Sequence, residues 1–181
     1  MVHRLIASAF VLTTAALTAA AQPASPYVGQ EARGIKALSP EDAAALLSGK
    51  GMGLAKAAEL NGYAGPAHVL ELATPLALTS EQRAQTEALF ASMESRARSF
   101  GRALVEEELK LDRLFASKSV TQESLSRSLS EIGSLQAKVR EAHLQAHLTQ
   151  AAILTPTQNA LYAQLRGYAG AAATGHSGHK H

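Results

Sequence analysis

The chain has 181 residues, 46% of them hydrophobic and 18% charged, with a net charge of +2 at pH 7 and neither Cys nor Trp. That length suits one domain with appended segments, and the lack of Cys excludes disulfides, thiolate metal centres, Fe–S clusters, a Cys nucleophile and lipidation of an N-terminal Cys. The near-neutral charge argues against a nucleic-acid partner, and an Ala-rich composition with only 4% aromatics favours packed helices over sheets.

Residues 1–21, MVHRLIASAFVLTTAALTAAA, run from a basic start at Arg4 through an apolar stretch to Ala19-Ala20-Ala21. This is the pattern of a signal peptide cleaved after Ala21. The rival reading is an uncleaved N-terminal membrane anchor, because the run approaches a bilayer span. Either one exports the remainder, in a bacterium to the periplasm.

Residues 22–64 read as an extended lead carrying short helices. Residues 22–37 lack periodicity. Ser39-Pro40-Glu41-Asp42 then offers an N-cap, a Pro at the first helical position and acids in the first turn. Gly49, Gly51 and Gly53 interrupt, and 54–60 forms a short helical piece. Asn61-Gly62 and Gly65-Pro66 mark turns. A short helix over 66–73 stops near Pro75.

Leu78-Thr79-Ser80-Glu81-Gln82 opens the longest segment. Thr79 caps, and Gln82 reaches back to the Thr79 backbone N–H, a capping box. The helix runs to about 117, with Phe90, Met93, Ala97, Phe100, Leu104, Leu111 and Leu114 as its apolar stripe, broken once at Glu107. Gly101 sits inside it as a candidate bend. A short connection at 118–120 leads to Thr121, which caps a second long helix reaching about 153. Leu125, Leu129, Ile132, Val139, His143 and Ala146 form its inner face. So short a connection makes the two helices antiparallel neighbours. Leu154-Thr155-Pro156-Thr157-Gln158 repeats the capping device, and Leu161, Tyr162, Leu165 and Tyr168 give the last helix its apolar side. Residues 169–181 lose pattern and read as a disordered His-containing tail. The expected fold class is all-α: a long antiparallel helical hairpin (65–168) with short flanking helices, paired with a second chain as a homodimer.

Two copies of L-T-x-x-Q, at 78–82 and 154–158, carry a family resemblance over about 65–168. The chain resembles the LTxxQ-motif periplasmic proteins of the Spy/CpxP type, which include ZraP- and CnrX-like metal-responsive members. The resemblance implies a small all-α protein forming a curved, interlocked hairpin dimer. It also implies either an ATP-independent chaperone or a metal sensor or accessory of envelope stress. The motif residues Thr79, Gln82, Thr155 and Gln158 are read as structural caps, not as a ligand site.

His143 and His147 stand at i and i+4, so both imidazoles share one helix face and can reach one metal ion. HxxxH is a weak signal alone, because a tight site needs a third or fourth ligand. His68 and Glu71, at i and i+3 on the short helix, are candidates to converge with them. Met93 is another, because equal counting from the turn places it opposite Gln145; a thioether suits a softer metal. CnrX-like sensors draw His, Glu and Met ligands from an early and a later helix. The layout here is similar in kind, with HxxE in place of an early HxxxH and HxxxH in place of HxxxM. The plainer reading is that His68, His143, His147 and Met93 are packing residues. His176, His179 and His181 in the tail form a weak metal grip, because ordering a tail costs entropy.

No hydrolase, P-loop, zincin or dinucleotide signature occurs, so an enzyme is not expected. The first expectation is a periplasmic metal-binding stress protein, a heavy-metal sensor or accessory holding a divalent transition metal (Zn, Ni, Co or Cu). The second is an ATP-independent chaperone holding unfolded periplasmic proteins without metal. The third is a structural dimer acting on a membrane stress sensor by contact alone.

Overall fold

The computed structural model describes residues 24–168. The segment 1–21 expected to be a signal peptide and the expected tail 169–181, with His176, His179 and His181, lie outside the described residues. Two compact units are distinguished, Met1–Glu31 and Ala32–His181. In the first, residues 25–30 form two successive turns, Val28 N–H to the Ser25 carbonyl and Gln30 N–H to the Tyr27 carbonyl.

The second unit is all-helical among the described residues. Its elements are α1 (Pro40–Leu47), α2 (Lys56–Glu59), α3 (Pro66–Glu71), α4 (Ser80–Ala116), α5 (Gln122–Ile153) and α6 (Pro156–Leu165). None is long and apolar enough to cross a membrane. Capping chemistry sets the starts. Ser39 accepts from Asp42 N–H, and Thr79, Thr121 and Thr155 each open a complete capping box. At Thr121 the third helical residue is Ser124, whose hydroxyl does the work of the usual Glu or Gln.

The long helices α4 and α5 pack on each other, and α1 and α3 pack on α4. Hydrogen bonds join Gln82 to Ile153, Thr86 to Gln150 and Glu107 to Ser128, so the start of α4 lies beside the end of α5. One apolar cluster gathers Leu46, Leu104, Ile132, Leu135 and Val139; a second gathers Ala64, Val69, Leu76, Leu154 and Tyr162. The first includes Leu46 of α1, and α1 ends close to α4 at Gly101. A Cβ on Gly101 would stand 2.2 Å from the Leu46 carbonyl oxygen. Gly101 therefore serves a close approach between chains of backbone. Arg98 Nε donates to the Ser48 carbonyl at 3.3 Å, satisfying an orphan group at the end of α1. Upstream, Asp112 holds both the backbone N–H and the Nζ of Lys36, at 3.3 and 3.1 Å, so the lead is fastened to α4 before α1 begins.

Three sequence expectations change. The short helices are tighter, Lys56–Glu59 and Pro66–Glu71, because turns at 60–62 and 72–77 take the flanking residues. Leu129 is 53% exposed; Ser128 takes the inward place and donates to Glu107 Oε1 at 2.8 Å. The acid buried in the α4 stripe is Glu108, while Glu107 is half-buried and also accepts from Lys110.

The two L-T-x-x-Q motifs meet. Gln82 Nε2 donates to Gln158 Oε1 at 2.8 Å, and Gln158 Nε2 donates to Gln82 Oε1 at 3.0 Å. Each Oε1 also accepts its own cap N–H, from Thr79 at 3.2 Å and Thr155 at 2.9 Å. Each Nε2 also donates to a distant carbonyl, Ile153 at 3.0 Å and Leu76 at 3.1 Å. Both amides are thus satisfied on both atoms, and they join the starts of α4 and α6 to the end of α5. A carboxylate has no proton to donate at neutral pH. Gln82→Glu should keep the capping box yet lose stability by about 1–3 kcal/mol, the cost of stranding acceptors, as read by urea unfolding. An unchanged midpoint would mean that the clasp adds nothing beyond capping.

Burial holds the Glu108 carboxyl above its ordinary range. A raised acid penalises the fold while it is ionised, and the penalty vanishes as the pH falls below the unfolded carboxylate's 4.5. Glu108→Gln should therefore raise the Tm at pH 7, with the gain fading towards pH 4.5. A gain that persists at acid pH, or none at pH 7, would show that the charge carries no such penalty.

Candidate functional site

The loop after α1, the segment joining α2 to α3, and the facing stretches of α4 and α5 enclose a cavity of about 460 Å³. His68, Met93, His143 and His147 all line it, together with Glu59, Phe90 and Met52. Four of the five principal sequence candidates therefore share one cavity. Glu71 does not; it is exposed near the end of α3 and lies outside the lining.

The α5 face is set by helical spacing. His143 and His147 are both buried, and Ala142 and Ala146 beside them are nearly inaccessible. His147 Nδ1 lies 2.8 Å from the Tyr63 carbonyl. A carbonyl only accepts, so Nδ1 is the protonated, donating nitrogen of this ring. Gly65 makes room for this ring: a Cβ there would stand 2.8 Å from Cε1, 3.0 Å from Nε2 and 3.4 Å from Glu59 Oε2. His143 lies under Gly51, and its Nε2 is buried with no hydrogen-bond partner among the described residues. Burial, and secondarily the neighbouring His147, hold the His143 pKa below its ordinary value. The ring is therefore neutral at pH 7, the form that binds metal.

Glu59 is the residue that sequence reasoning does not find. Its side chain is 12% exposed. Oε1 accepts from Tyr162 OH at 2.6 Å, Tyr168 OH at 3.1 Å and Arg166 Nε at 3.3 Å. Oε2 is buried with no hydrogen-bond partner among the described residues, 3.7 Å from His147 Nδ1. His68 Nδ1 lies 3.7 Å from Oε1 and 3.5 Å from Tyr162 OH. Burial, and then the hydrogen bond to Glu59, push the Tyr162 phenol above its ordinary range, so it stays protonated and donates. The signal that could have pointed to Glu59 is weak. It is an acid on a four-residue helix, and its hydrogen-bond partners lie more than a hundred residues away.

Among the described residues, no three His, Asp or Glu side chains are gathered closely enough to hold a metal ion as they stand. The donors present are nonetheless of the right kind. An imidazole whose Nδ1 donates to a carbonyl, a second, buried imidazole held neutral, and a carboxylate with one uncommitted oxygen are donor types that borderline metals take. Comparisons with protein-family models, with curated proteins and with solved structures gave no match.

Proposed function

We propose that this is an exported stress protein that binds a divalent transition metal in the cavity between α2, α3, α4 and α5. The observation that carries this reading is the pair of buried, unpartnered donor atoms, His143 Nε2 and Glu59 Oε2, on residues that line one cavity with His147. Buried polar atoms are nearly always hydrogen-bonded. Two exceptions of metal-ligating type in one cavity favour a ligand that supplies positive charge and coordination. His147 Nε2 joins them once its Nδ1 is committed to Tyr63. Since no three such side chains are gathered closely enough as they stand, the reading requires these side chains to turn towards one another on binding, and Met93 also lines the cavity for a softer ion. His68 supports the site through Glu59 and Tyr162 rather than as a ligand. Export rests on the sequence pattern of residues 1–21.

In this reading metal fastens the short helices to the helix pair and biases one arrangement of the chain, as a sensor or accessory requires. The helix pair acts as the hairpin of a homodimer. A second reading, a metal-independent chaperone, draws support from exposed Phe115, Leu129 and Leu148 on the two long helices.

Calorimetric titration with zinc, nickel, cobalt and copper tests the first reading. The wild-type chain should bind one of them saturably, and His143→Ala/His147→Ala should weaken that binding about 100-fold or more, since two of three or four ligands are lost. Identical titrations would overturn the internal site. Suppression of client aggregation, unaltered by metal or by these substitutions, would favour the chaperone.

A further inference from the structure

Glu59 faces two ways. One oxygen is taken up by three donors that all belong to the C-terminal stretch, Tyr162, Arg166 and Tyr168. The other is left uncommitted beside His147. The geometry points to Tyr162, aided by Arg166 and Tyr168, as a positioning residue that aims Glu59 Oε2 at the cavity ligand, so that metal binding and the docking of α6 reinforce each other. The inference rests on the metal reading above.

The physical case starts from the carboxylate. A half-free Glu on a four-residue helix has several rotamers and no reason to remain buried while ionised. Three hydrogen bonds on Oε1 fix the plane of the carboxylate and compensate its burial. The direction of Oε2 then follows. The donors are themselves well held. Tyr162 is 1% exposed and belongs to the apolar cluster with Ala64, Val69, Leu76 and Leu154. Its oxygen also accepts the Gly65 N–H at 3.4 Å, next to the gap where His147 sits. Arg166 lies within cation–π distance of the Tyr168 ring, 5.8 Å from its centroid. Helix α6 is attached through side chains: the Gln82–Gln158 clasp at its start, Tyr162 in its middle and the Glu59 network at its end. The last of these attachments is the one that a ligand on Glu59 can reach.

Linkage makes the effect reciprocal. If the Tyr162 hydroxyl raises metal affinity by some factor, bound metal raises the docking of α6 by the same factor. Partners of this kind, one step removed from the metal, typically alter affinity 10- to 100-fold. The short helix α2 thus links cavity occupancy to the C-terminal arm, and the arm becomes the part of the chain whose exposure reports on metal.

The test uses the full chain, so that the tail histidines are common to every variant. Zinc affinity is measured by calorimetry for the wild type, Tyr162→Phe, Tyr168→Phe and His143→Ala/His147→Ala. Amide exchange over Pro156–Leu165 is followed with and without zinc. Tyr162→Phe keeps the buried ring and removes only the hydroxyl. It should bind zinc roughly 10- to 100-fold more weakly, and zinc should slow α6 exchange in the wild type but much less in this variant. If Tyr162→Phe is poorly folded, half-buried Tyr168→Phe carries the test, with a smaller loss of affinity and of protection. A folded Tyr162→Phe that matches the wild type in zinc affinity and in α6 protection would overturn the coupling while leaving the metal site intact. A wild type whose binding of zinc, nickel, cobalt and copper alike matches that of the His143/His147 double variant would overturn the metal reading and the coupling with it.

Discussion

Gln82 and Gln158 trade hydrogen bonds in both directions, and the second half of the fold hangs on that exchange. Each side chain completes the cap of its own helix and reaches a carbonyl of a different segment, Ile153 or Leu76. A glutamate could cap equally well, but it could not donate, and two carboxylates so close would repel. The clasp fixes where α6 starts relative to α4 and α5. That in turn places Tyr162 in its apolar cluster and puts its hydroxyl on Glu59. Glu59, which lines the cavity, is thereby held by a residue of α6 that does not. Nearby, Gln150 and Thr86, both fully buried, continue the polar seam between the long helices.

The interior is unusual in what it buries. Small helical domains have little apolar volume to spare, and ionisable groups inside them are costly unless paired. Glu108 shows the cost directly, with a pKa raised by burial alone. Glu59 shows the compensated case, with three donors on one oxygen. His143 shows a third response, a pKa lowered so that the ring remains neutral. Glu59 and His143 both line the cavity, whereas Glu108 lies outside its lining.

The helix starts were legible because their signals are local. Ser39, Thr79, Thr121 and Thr155 each cap within three residues, and each begins a helix where the pattern placed it. The shared face of His143 and His147 followed from helical spacing. What was not legible depends on distant pairings. The caps gave no sign that Gln82 and Gln158 would find each other across 76 residues. Leu129 read as core, yet Ser128 takes the inward place and donates a hydrogen bond to Glu107. Gly101 read as a candidate bend, and it proved to be the point where the end of α1 meets α4. Glu71, with His68 on the short helix, was a candidate to converge with the histidines, but α3 turns it to the surface. Glu59, on a helix too short to show any period, takes its place beside His147.

The most direct measurement of the account's central claim is an anomalous diffraction map of crystals of the full chain grown with zinc. The account predicts a peak inside the cavity, bound by His143, His147 and Glu59, with Glu59 Oε1 still holding Tyr162. A peak only on the tail histidines, or a cavity that excludes zinc while Glu59 and the two imidazoles keep their present positions, would contradict it.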